Sequence, residues 1–130
     1  EYIKFVQDKL NLNENKSEQV ISAVLQTLHE RLTEDQAEHV ETHLPVDVKP
    51  LWWSPSLKKS LPLLKRQPAK YNFAEFINKI KERADLATDA EAKSAVKTVF
   101  QLLKIKIPEK ESANVATQLP HDIEEFWQAA

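Results

Sequence analysis

The chain has 130 residues, 42% apolar and 29% charged, with a formal charge of −2, and it contains no Gly, no Cys and no Met. That is the composition of one globular domain large enough to bury a core. Lack of Gly excludes a phosphate-cradling G-x-x-x-x-G-K-[ST] loop, a G-x-G-x-x-G dinucleotide turn and a G-x-S-x-G nucleophile elbow, because all three need glycine's backbone. Lack of Cys excludes disulfides, thiol catalysis, zinc fingers and iron–sulfur clusters.

The first predicted helix shows Ile3, Val6 and Leu10 on one face. With no Gly available for a left-handed ending, Asn11 is the expected terminator and Leu12 the apolar residue that closes the cap. A second helix carries the broad stripe Val20, Ile21, Val24, Leu25, Leu28 and Leu32 at 3.6 spacing. Thr33-x-x-Gln36 has the form of a capping box and opens a third, with Ala37, Val40 and Leu44 inward. Leu44-Pro45 follows, and then Asp47, which reads as the N-cap of a short helix.

After a Trp- and Pro-rich stretch, Asn72-x-x-Glu75 opens a helix with Phe76, Ile77, Ile80 and Ala84 on one face, closed by Asp85 and Leu86. Thr88-x-x-Glu91 opens the next, with Ala92, Ala95, Val96, Val99, Phe100 and Leu103 as its stripe. Pro108 suits entry into a helix bearing Ala116 and Leu119. Leu119-Pro120 then leads to Asp122-x-x-Glu125, with Asp122 in the N-cap role proposed for Asp47. No stretch alternates with period two. In a chain without glycine, every helix end is expected to be made by Asn, Asp or Pro chemistry.

These elements come in two sets. Leu44-Pro45-Val46-Asp47-Val48 recurs as Leu119-Pro120-His121-Asp122-Ile123, and the offset of 75 from Val20 through Trp52 matches ten of 33 positions, against roughly two by chance. Upstream the offset is 74, pairing Tyr2 with Phe76, Val6 with Ile80 and Leu12 with Leu86. The reading is one all-α domain over 1–130: a helical bundle of two pseudo-symmetric three-helix repeats with short helices after each Leu-Pro. Repeat one spans 1–53, a basic connector 48–72, and repeat two 73–130.

The order Val24-Leu25, Leu28, Arg31-Leu32, Leu44-Pro45, then Leu51-Trp52-Trp53-Ser54-Pro55, Phe76, Ile80 and Leu119-Pro120 resembles the bacterial domain-of-unknown-function 2267 family over nearly the whole chain. The resemblance implies a small all-helical fold and no established activity.

Charge is unevenly spread. Val48 to Ala74 holds six basic residues and no acid, whereas Glu1 to Asp47 has four basic against ten acidic. Basic residues interleaved with aromatics suit an anionic partner, a nucleic acid or a membrane surface; the plainer expectation is a connector lying across the acidic first repeat. Trp52 matches Trp127 and is expected in the core, while Trp53 matches Gln128 and is the better candidate for a partner-facing residue. Trp53, Lys58, Lys59, Lys65 and Arg66 are therefore the candidate contact residues for an unidentified protein partner.

His39 and His43, four apart, have the only spacing that suits a metal; two ligands do not complete a site, and the alternative reading, a metal-dependent activity at this pair, needs a third from His29, His121 or a carboxylate. The acidic pairs Glu34-Asp35 and Glu124-Glu125 fall where helix first turns favour negative charge. Lys93 and Lys97 are expected on a solvated face. No nucleophile, base and oxyanion donors assemble, so the expected protein is a non-enzymatic interaction or structural module with no cofactor. No apolar run approaches the roughly 18 residues of a spanning helix, and the expected location is cytoplasmic. The sequence does not begin with Met, as for a processed or partial chain, which leaves a removed signal peptide open.

Overall fold

The computed structural model describes residues 2–44, 46, 48–52 and 70–130. Among them are seven α-helices and no strand: α1 (Tyr2–Leu10), α2 (Glu14–Arg31), α3 (Glu34–Thr42), α4 (Phe73–Ala84), α5 (Asp89–Lys106), α6 (Glu109–Gln118) and α7 (His121–Ala129). A single 3-10 turn, Lys49–Trp52, follows α3.

The two 18-residue helices, α2 and α5, are the spine. Their stripes are buried almost completely, and α2 packs against α1, α4, α5 and the 3-10 turn, while α5 packs against α4, α1 and α7. Residues of both spines join one continuous core, with Val24 and Leu28 from α2, Phe76 and Ile80 from α4, and Val99 and Phe100 from α5. Each such side chain contributes about 1.5–3 kcal/mol through removal from water. Beyond these, α3 lies on α6 and α6 on α7. Of the predicted apolar faces only Ile3 and Leu10 are merely half-buried, both on α1.

Capping follows the local sequence closely. Asn72 with Glu75 and Thr88 with Glu91 form complete capping boxes, each side chain satisfying an orphan N–H of the other's turn. Asn13 also caps α2, accepting from the Lys16 N–H at 2.7 Å. Thr33 forms only half a box. Its hydroxyl accepts from the Gln36 N–H at 3.2 Å, but the Gln36 amide donates to Glu111 on α6 and the Thr33 N–H goes to Gln118. Each cap is worth about 1 kcal/mol.

Asn11 (φ 56°) and Asp85 (φ 53°) are the two positive-φ residues among those described. The Leu12 N–H donates to the Gln7 carbonyl at 3.1 Å and the Leu86 N–H to that of Lys81 at 2.9 Å, the six-to-one bond of a Schellman ending in both places.

The other ends depart from the expectation of Asn, Asp or Pro chemistry. α2, α5 and α6 stop where Leu32, Ile107 and Leu119 turn extended and their side chains enter the core. Pro108 and Pro120 assist at two of these, since a residue before proline is pushed out of the helical region; at Leu32 burial alone pulls the backbone straight. α3 likewise ends at Thr42, leaving the buried Leu44 in the following turn.

Asp122 is not an N-cap. Pro120 holds that position, and Asp122 lies inside the first turn of α7. Its carboxylate accepts the Ile123 N–H at 2.8 Å and, across the fold, the Phe73 N–H at 2.9 Å. It thus satisfies an orphan donor at the start of α4 as well as one in its own first turn. Glu125 forms no box either; it sits beyond the first turn and pairs with His121 at 3.3 Å. Asp47, its expected counterpart, lies outside the described residues.

Candidate functional site

The candidate contact residues Trp53, Lys58, Lys59, Lys65 and Arg66 lie outside the described residues. What the structure places is the two ends from which that stretch departs, and both are fastened to α2.

Trp52 is fully buried, with its ring stacked on His29 at 4.5 Å between centroids and 15° between planes. His29 Nδ1 lies 2.8 Å from the Trp52 carbonyl, so ring and backbone are held by one side chain. The second half has a parallel arrangement. Trp127 is equally buried, and Lys104, which the sequence offset pairs with His29, donates to the Trp127 carbonyl at 2.9 Å and to that of Ala130 at 3.0 Å. In each half a polar residue on the spine helix holds a tryptophan carbonyl 23 positions later. A lysine ammonium at the end of α7 also meets the negative pole of that helix.

At the other end, the Tyr71 hydroxyl donates to Glu30 Oε1 at 3.1 Å, one residue along α2 from His29. Glu30 Oε2 takes the Arg83 guanidinium at 3.0 Å, and a second Arg83 nitrogen donates to Thr27 Oγ1 at 3.0 Å. Lys49 and Lys70, the described basic residues of the connector, are both exposed.

Burial, then the Glu30 carboxylate, hold the Tyr71 phenol above its ordinary value of 10.0, with Arg83 opposing. An unfolded chain then ionises this phenol first, so stability falls as pH rises above about 10. Urea midpoints from pH 8 to 11 should fall less steeply for Tyr71→Phe than for the parent. At neutral pH the variant should be weaker by about 1 kcal/mol from the lost hydrogen bond; parallel curves would remove Tyr71 from this role.

His39 lies in the last turn of α3 and His43 directly after it. The His39 side chain is 62% exposed and its Nδ1 faces Glu111 at 3.7 Å, and His43 terminates α3. Among the described residues no group of three or more potential ligands could hold a metal ion. Lys93 and Lys97 are exposed as expected, with the Lys93 ammonium 5.9 Å from the Phe73 ring. Arg31 carries a buried Nε that finds no acceptor among the described residues; burial lowers its pKa while Asp122 opposes the shift. No described helix is long and apolar enough to cross a membrane.

His29, Glu30 and Arg83 are not legible as a site from sequence, since their partners lie 23 to 56 positions away. The described residues define an all-helical protein. The chain belongs to the family described as "Uncharacterized conserved protein (DUF2267)", which matches residues 1–126. No curated protein matches it.

Proposed function

We propose that the chain is a non-enzymatic helical interaction module whose contact surface is the basic, Trp-bearing connector. The observation that supports this is the double anchorage on α2: Trp52 locked by His29 at one end and Tyr71 by Glu30 at the other. Such anchors fix where a segment leaves and rejoins the fold, reducing the ordering entropy of engaging a partner. Exposed Lys49 and Lys70 flank the stretch that carries Trp53, Lys58, Lys59, Lys65 and Arg66. Capture of a protein from the native host, with a variant carrying Trp53→Ala and charge reversal at Lys58 and Lys59 as control, tests the reading. The variant should lose the partner and melt within a few degrees of the parent. A large drop in melting temperature would show the segment to be structural instead. The same basic residues give a second reading, binding of an anionic nucleic acid or membrane surface, favoured by the exposed flanking lysines. Its signature is capture that disappears as salt is raised, through release of counterions.

A further inference from the structure

The carbonyl ends of α1 and α4 are built alike but completed differently. At the end of α4, Lys16 Nζ donates to the Ala84 carbonyl at 2.6 Å and to that of Asp85 at 2.8 Å, and the Gln19 amide reaches the Arg83 carbonyl at 3.3 Å. These are acceptors that a helix end leaves without intrahelical partners, at its negative pole. A cation from the opposite half satisfies them.

The matching place is the end of α1. Asn13 and Thr88 are the N-caps of the two spine helices, which puts Glu91 where α2 has Lys16 and Ser94 where it has Gln19. Neither replaces its counterpart. Glu91 Oε1 folds back to accept the Ala87 and Thr88 N–H groups, and Oε2 receives no donor among the described residues. The Ser94 hydroxyl is too short to span the gap. Lys9 also lines this region, and its ammonium lies 5.7 Å from the Phe5 ring. No donor among the described residues reaches the carbonyls of Leu10 or Asn11. What is left is a half-open cavity of ≈ 370 Å³ with walls of Leu10, Leu12, Val20 and Leu86 and a polar edge of Glu91 and Ser94.

We propose that this cavity binds a linear aliphatic primary amine, whose ammonium takes the place at α1 that Lys16 Nζ holds at α4. Three features select that class. The free carbonyls and the Glu91 carboxylate are acceptors only, so they demand a donor and favour a positive one. The walls are aliphatic, as needed for a hydrocarbon chain. The protein itself fills the equivalent position with a four-methylene chain ending in an ammonium, which sets the length.

Titration of the folded protein with n-pentylamine, followed by amide proton–nitrogen NMR, tests the proposal against pentan-1-ol and pentanoate. Pentylamine should give saturable shifts centred on Leu12, Leu86 and Ser94. The alcohol, equal in chain but uncharged, should bind about tenfold more weakly, and the acid should cause no saturable shift. Glu91→Gln keeps a capping-box side chain at that position and should weaken the amine about fivefold. Glu91→Lys should supply the ammonium internally, abolishing the response to pentylamine. Equal affinity for amine and alcohol, absence of saturable shifts at these residues, or undiminished binding by Glu91→Gln would each overturn the proposal.

Discussion

Phe100→Ala is expected to lower stability by about 3–5 kcal/mol, the range for truncating a fully buried aromatic side chain. Phe100 is completely enclosed. Its ring lies 4.8 Å from Trp127 edge-on, 6.1 Å from Phe76 and 6.3 Å from Phe126, so a single truncation deprives α4 and α7 of their shared contact with α5. Three rings on two different helices cannot all collapse into the space, and the loss should therefore include a cavity contribution. For a domain of this size the melting temperature should fall by roughly 10–20 °C. Ile105 provides the control on the same helix, being 67% exposed; Ile105→Ala should change stability by less than about 0.5 kcal/mol. A melting shift of only a few degrees for Phe100→Ala would mean that α7 is not held through this ring.

Trp52 should behave in a more discriminating way. Trp52→Ala removes the ring stacked on His29 and is expected to cost about 3–5 kcal/mol. Its buried indole Nε1–H finds no acceptor among the described residues, and leaving such a donor unmade costs about 1–3 kcal/mol. Trp52→Phe removes that penalty together with part of the ring, so it should cost under about 1.5 kcal/mol. The two variants, compared by urea denaturation, separate ring area from polar cost. A phenylalanine as damaging as alanine would show that the indole nitrogen contributes favourably.

Local chemistry was readable from the sequence because it depends on neighbours. The stripes of α2 and α5, the boxes at Asn72 and Thr88, and the left-handed pair Asn11 and Asp85 all involve residues within a turn or two of each other. Trp52 and Trp127 were also placed correctly in the core, through their matched positions. The errors arose where a partner far along the chain outbid a local one. Asp122 has the spacing of a cap, yet α4 offers it the Phe73 N–H from 49 positions away. Gln36 was expected to turn back on Thr33 and instead meets Glu111, 75 positions on. Leu32 carries no terminator signal at all; core packing ends its helix. The anchors of the connector belong to the same group. Nothing near His29 in the sequence announces that a tryptophan carbonyl will arrive there.

The glycine-free backbone has a consequence on the unfolded side of the equilibrium. At average usage, a chain of 130 residues would carry roughly nine glycines, and each widens the range of conformations available before folding. Here every residue bears a Cβ, and seven prolines narrow the ensemble further. Each glycine avoided saves on the order of 0.5–1 kcal/mol of conformational entropy on folding. The two left-handed positions, Asn11 and Asp85, are where this economy exacts a local strain. A fold that starts from so restricted a coil can leave, among its described residues, the end of α1 without a donor and tryptophan N–H groups without acceptors.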